Sequence, residues 1–303
     1  MTPREQGFLL LTGYLGDPER KPLTVAQFRE LTLRARAMDK PENDRDMTVE
    51  DLVQIGCSRS FALRCLNLLS QEEQLRWYLE KGRRLDCYPI TRLSSIYPQR
   101  LRDALGLDAP GVLWLKGDRS LLKLPGVALV GSRDLQPENF QFAREVGKQA
   151  ALHGLVLISG HARGADRAAQ ESCLEHGGMV ISVVADPLTK FPLRRNVLYI
   201  SEDGFDISFS AHRALQRNRV IHSWGEKTFV AQCSLGKGGT WDGTRKNLRF
   251  GWSPVFCFRD ESRASVELAQ MGAGLINLED LKHMPALVSG NMTFADYEDE
   301  RKN

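Results

Sequence analysis

Long apolar runs are missing from this 303-residue chain. Stretches such as residues 154–158 and 180–185 fall far short of the roughly 20 residues that cross a bilayer, so a spanning helix is excluded and no membrane partner is expected. Residues 7–15 (GFLLLTGYL) imitate the apolar centre of a secretion signal. Glu5 precedes them, Asp17 and Glu19 follow, and no small-residue cleavage site appears. They read as a first core helix, and the protein as cytoplasmic. Cysteine is sparse, with six residues at 57, 65, 87, 173, 233 and 257 and no CxxC pair. That spacing excludes a disulfide framework and a zinc knuckle. Cys173 and His176 stand three apart on an expected helix, but no second pair completes a metal site. HExxH and Walker lysine motifs are absent, and no metal or cofactor is expected. Charge of one sign is lacking too. Lys and Arg number 41 against 38 Asp and Glu, a net of +3. Total charge therefore demands no nucleic-acid partner, and the placement of the cations has to decide.

What is present divides the chain into a helical part at 1–84, an α/β part at 85–282 and a short tail at 283–303. In the first part, apolar residues recur at helical spacing at Ala26, Phe28, Leu31 and Leu33, then at Leu52, Ile55, Ala62, Leu63, Leu66 and Leu69. Residues 40–47 (KPENDRDM) read as a loop. Gly56 sits between two short apolar segments, where a glycine permits the bend of a helix-hairpin-helix or sterile-alpha-motif turn. Such a turn serves a phosphate or merely a helical bundle.

From about residue 86 short apolar runs end in glycine or serine and lead into helical stretches. Strands are expected at 127–130, 155–158, 180–184, 228–231, 255–258 and 274–277. Helices are expected at 138–153, 165–176, 211–223, 241–250 and 261–271. Strands alternating with helices imply βαβ units and a parallel sheet covered on both faces. Ligands of such sheets lie at the carboxyl ends of the strands.

Four segments carry chemistry there. Gly131, Ser132 and Arg133 end the first strand, offering close backbone approach, a hydroxyl and a planar cationic fork. Ser159 to Asp166 (SGHARGAD) end the second and open a helix. Gly160 and Gly164 bracket Arg163 in a phosphate-binding arrangement, while Asp166 reads as a residue that orients the loop. His161 is a loop histidine. Arg217 and Arg219 flank Asn218, forming either a solvated basic turn or contacts to successive phosphates. Lys237, Gly238 and Gly239 allow close approach to phosphate. Trp241 reads as packed under that loop or as a stacking surface for a base. Together these loops point to an anionic, nucleotide-containing ligand.

The motif order resembles the DNA-processing protein A family (DprA, also called Smf). It runs through Tyr97–Pro98, LWLKG at 113–117, VGSR, SGHARGAD, Phe191–Pro192 with Asn196 and Leu198, Ser201–Glu202, RNRVI and GAGLI at 272–276. The likeness covers about residues 86–282, and the helical residues before it take the place of that family's sterile-alpha-motif-like domain. It implies a Rossmann-like, doubly wound, mostly parallel sheet preceded by a small helical domain. It further implies a homodimer, binding of single-stranded DNA without nucleotide hydrolysis, and help in loading the RecA recombinase during recombination or transformation. Carried over by motif, the DNA contacts are Arg133, Arg163, Arg217, Arg219 and Lys237. The chain departs from the family pattern at GKGGTW, at Gln170 where a histidine is common, and at His161. A C-terminal winged helix is not expected.

A second reading within the same superfamily is a sensor of a small nucleotide signal, as in antiphage defence. The superfamily's hydrolases place a glutamate after a PGGxGTxxE loop. Here Gly243 or Asn247 occupies that position, so acid-base chemistry lacks its carboxylate and no enzymatic activity is expected.

Overall fold

The computed structural model describes residues 1–17, 19–36 and 47–288. Most of the expected 40–47 loop and most of the 283–303 tail lie outside these residues.

The chain begins with five helices, α1 (Pro3–Thr12), α2 (Val25–Arg36), α3 (Val49–Gln54), α4 (Arg59–Leu69) and α5 (Glu72–Arg84). The run read as a core helix is α1. Thr2 caps it through the Glu5 amide, and the Glu5 carboxylate returns to the Thr2 amide at 2.7 Å, a reciprocal pair that satisfies two otherwise orphaned donors. Gly56 turns the chain between α3 and α4 at φ +85°, a conformation costly to other residues.

The α/β part contains β1 (Tyr88–Thr91), α6 (Gln99–Leu105), β2 (Val112–Gly117), β3 (Gly126–Val130), α7 (Pro137–Leu152), β4 (Val156–Ser159), α8 (Ala165–Glu175), β5 (Met179–Val183) and β6 (Val197–Ser201). It continues with α9 (Ala211–Gln216), α10 (Asn218–Trp224), β7 (Thr228–Val230), α11 (Gly238–Phe250), β8 (Val255–Phe258), α12 (Arg263–Gln270) and β9 (Gly274–Ile276). The described strands form one sheet in the order β1-β2-β6-β5-β4-β3-β7-β8-β9. From β6 to β9 every pairing is parallel; β1 and β2 extend the β6 edge antiparallel. All five β3 residues are buried, as a strand covered on both faces requires. This is a Rossmann-like α/β fold.

Three strands escape the sequence pattern: β1, β2 and β6. The first holds a proline, and the other two coincide with the LWLKG motif and with the motif residues Asn196, Leu198 and Ser201–Glu202. The helix expected at 211–223 is two helices, α9 and α10, meeting at Arg217, whose own backbone stays right-handed. The glycines of the 237–240 loop are the first turn of α11, with Lys237 as its N-cap residue.

One core layer joins α7 and α8 to the sheet through Phe142, Val146, Ala169, Cys173, Leu157 and Phe229. It continues into the helical part, where Leu9, Leu10, Leu75 and Tyr78 share it with Trp114 and Phe205. Tyr78 stacks on Phe205 at 4.5 Å between ring centroids and donates to Asp206 at 2.6 Å. Helices α1 and α5 are therefore anchored to the sheet by a common core. The packing also runs past residue 282, with Met284 and Leu287 buried in the same layer. The opposite layer packs α6, α10, α11 and α12 on the other face of the sheet. A smaller cluster lies within α2–α4. All six cysteines are free and buried, two in each of these clusters.

Candidate nucleic-acid interface

The carboxyl ends of β3, β4, β5 and β7 bring the sequence-selected loops together. The Ser132 amide donates to the Gln232 carbonyl at 2.9 Å, and the Thr240 hydroxyl donates to the Gly131 carbonyl at 3.0 Å. Thus the ends of β3 and β7 and the start of α11 are laced at one point. The loop after β4 is held from within. One Asp166 carboxylate oxygen accepts the Gly160 and Ala162 amides, each at 3.1 Å. Burial raises the Asp166 carboxyl, while Arg217 and these amides pull it back toward the ionised form.

Ser159 is buried and accepts from Gln170 at 2.5 Å; the other end of that amide meets the His161 ring at 2.6 Å. Gln170 thus positions the histidine, whose backbone is left-handed at φ +58°.

The arginines part company. Arg133 and Arg163 are exposed at the rim, with Arg163 paired to Asp134 at 2.6 Å. Arg217 is only 9% exposed. Its guanidinium occupies the place a β-carbon on Gly160 would need, and its Nε and Nη1 have no partner among the described residues. Burial lowers its pKa, opposed by the Asp166 and Glu202 carboxylates. Arg219 turns elsewhere. It pairs with the largely buried Glu202 carboxylate at 2.5 Å and donates to the Asp108 carbonyl at 3.1 Å. Burial raises the Glu202 carboxyl against the pull of Arg219. Arg217 and Arg219, two apart at the start of a helix, point to different sides and do not share a face. Asn218 donates to the Gly239 carbonyl at 3.1 Å and ties the start of α10 to the start of α11. Trp241 is buried in the core and presents no stacking face.

Beside these loops a cleft of about 400 Å³ opens between Gly160, His161, Asp186 and residues 190–194. It adjoins a second of about 280 Å³ that follows α8 toward Val180 and Val197. Phe191 and Tyr199 stack in its wall at 4.6 Å and 19°, with the His161 ring edge-on to both. Arg167, Lys190 and Arg194 are exposed along it. Of these five residues only Phe191 belongs to a motif named from the sequence, Phe191–Pro192, and none reads there as a binding residue. The signal was present in KFPLRRNVLY at 190–199, cations interleaved with aromatics.

The fold and the gathered loops define an α/β protein with a cationic, aromatic-walled cleft at the carboxyl edge of its sheet. The profile of the family described as DNA recombination-mediator protein A matches residues 89–284, and the chain belongs to that family. The chain is similar to DNA processing protein DprA of Streptococcus pneumoniae, 34% identical over 163 residues, which are 50% of this chain and 54% of that protein. It is also similar to Protein Smf of Escherichia coli, 28% identical over 200 residues, 62% of this chain and 52% of the relative. The matches thus span about half the length of these curated relatives. The crystal structure of the Streptococcus pneumoniae DprA superposes with a TM-score of 0.70 at 26% identity, covering 91% of this chain and 95% of that one. A DprA structure from Helicobacter pylori, described for its single-stranded DNA binding mode, aligns with a TM-score of 0.55 at 24% identity, over 66% of this chain and 95% of that one.

Proposed function

We propose that this protein binds single-stranded DNA along the carboxyl edge of its sheet, and does so without hydrolysing nucleotides. The observation that carries this reading is the cleft itself. The half-buried Phe191 ring, backed by the buried Tyr199, lies beside exposed Arg167 and Arg194, and the loop that carries His161 also carries the exposed rim residue Arg163. An aromatic face that accepts any base, next to cations that follow a backbone, is the chemistry of sequence-tolerant single-strand binding. The single-strand binding named for the Helicobacter pylori relative supports the same reading. The absence of a carboxylate at Gly243 and Asn247 supports a non-catalytic role. Asn247 is committed to Ser253 at 3.0 Å and to Thr228 at 3.3 Å. Family membership supports the finer role: a cytoplasmic homodimer that protects single strands and assists RecA loading.

One observation favours the second reading, a sensor of a compact nucleotide: Arg217 keeps two buried donors, Nε and Nη1, without a partner among the described residues beside Gly160. Oligo-dT of increasing length, competed with mononucleotides, separates the two. For a DNA platform, affinity climbs with length toward about 4 to 16 nucleotides and falls with salt at a slope near −0.7 per phosphate contact. A flat length series with tight mononucleotide binding overturns the DNA reading.

A further inference from the structure

Helix α11 starts among the site loops and ends at the opposite edge of the sheet. Its N-terminal turn is tied to Gly131 through Thr240 and to Asn218 through the Gly239 carbonyl. Its inner face, with Trp241 and Asn247, is buried. Its outer face carries Arg245, Lys246 and Arg249, all exposed, with exposed Lys237 just ahead of it. Against these four cations the exposed face of the helix offers one carboxylate, Asp242, which pairs with Lys246 at 2.7 Å. The stripe ends on rings. Phe250 is 59% exposed and stacks on Trp252 at 5.6 Å and 19°. The Arg249 guanidinium lies 5.4 Å from the Phe250 centroid.

An exposed phenylalanine alone is ordinary surface. Phe140 and Phe209 are exposed as well, and neither stacks on another ring among the described residues. Phe250 differs in being held face to face with a tryptophan while still 59% exposed, at the end of a cationic row that begins at the candidate site.

We propose that α11 is a second segment of the nucleic-acid path. A single strand leaving the loops near Lys237 runs down the outer face of α11 and stacks a base on Phe250. This rests on the single-strand reading above. The occupant is argued from charge, from continuity with the loops, and from the platform at the far end. Thirteen residues at ~1.5 Å each give the helix a length of about 20 Å. At ~3.4 Å or more per nucleotide, that accommodates up to about six nucleotides. The strand would therefore straddle the carboxyl edge, with the Phe191 cleft on one side of the sheet and α11 on the other.

The test compares oligo-dT of six and twenty nucleotides on the full chain, by fluorescence anisotropy at low salt. The variants are Phe250→Ala and the double variant Arg245→Gln/Arg249→Gln. These side chains lie on the surface, and a matching thermal melt confirms that each variant folds. The longer oligonucleotide is expected to bind wild type more tightly than the shorter one. Phe250→Ala is expected to weaken the twenty-mer about tenfold, as loss of one stacked base does, and to leave the six-mer unchanged. The double variant is expected to reduce the salt slope for the twenty-mer by about 1.4. Unchanged twenty-mer binding in both variants, while Phe191→Ala still weakens both lengths, overturns the α11 path and leaves the single-strand reading standing. Failure of wild type to bind either length overturns both. Loss of self-association in Phe250→Ala, with twenty-mer affinity intact, assigns the platform to a second copy of the chain and overturns the proposal.

Discussion

The guanidinium of Arg217 fills the space that a β-carbon on Gly160 would occupy. A residue at the junction of two helices thus reaches under the loop after β4, and the loop keeps a glycine where it passes over. Gly160→Ala has no backbone penalty, since Gly160 is not among the residues with positive φ, so its whole effect falls on the arginine. Displacing that side chain should weaken oligo-dT binding by ~1–3 kcal/mol, the cost of a charged hydrogen bond. Arg217→Gln should give a similar loss. Anisotropy titrations of both variants check this, and wild-type affinity in Gly160→Ala would remove Arg217 from the contact surface.

Asp166 holds the same loop from the other side. Asp166→Ala strips the acceptor from the Gly160 and Ala162 amides and leaves Arg217 without its nearest buried countercharge. Breaking a buried charged arrangement by removing one member costs ~3–5 kcal/mol. Asp166→Asn, which keeps one acceptor oxygen, should cost less. Urea unfolding of the two variants measures the difference, and equal stability to wild type in Asp166→Ala would refute the assignment.

Stacking and charge should separate in salt titrations. Phe191→Ala removes a ring face, so affinity should fall by ~1–3 kcal/mol with the salt slope unchanged. Arg163→Ala removes a cation at the exposed rim and should lower the slope by about 0.7. A Phe191→Ala variant whose loss disappears at high salt would show that the ring does not stack.

His222 is fully buried, and burial pushes it down to about 3 from its ordinary 6.5. The unfolded chain takes up a proton as pH falls through 6.5, and the folded chain refuses it until about 3. Its contribution to stability is therefore complete above the unfolded value and is lost progressively as pH falls through that window. Melting temperature should drop more steeply between pH 7 and pH 4 in wild type than in His222→Gln. Parallel curves in calorimetry would contradict this.

The βαβ alternation and the gathering of the loops are legible because β3, β4 and β7 are short apolar runs that end at Gly131, Ser159 and Ala231. The fate of the individual arginines is not. Arg163, Arg217 and Arg219 look alike in sequence. Their roles depend on Asp134, Gly160 and Glu202, which come from other elements. Arg219 is spent on an ion pair that only the chain crossing near Asp108 and Glu202 creates. The Phe191–Tyr199 stack is hidden for a related reason: the sequence pattern does not mark Val197–Ser201 as a strand, so nothing in it places Tyr199 beside the loop that carries Phe191.

The six buried cysteines have a practical consequence. Burial raises the thiols of Cys65, Cys87, Cys173, Cys233 and Cys257 above their ordinary value, so the native chain should react slowly with alkylating reagents. Cys57 and Cys65 report on the helical cluster, Cys87 and Cys173 on the layer shared by helices and sheet, and Cys233 and Cys257 on the opposite layer. Mass-resolved alkylation then becomes a clock with three hands. The order in which the pairs are modified gives the order in which the three packing units open, without a single engineered label.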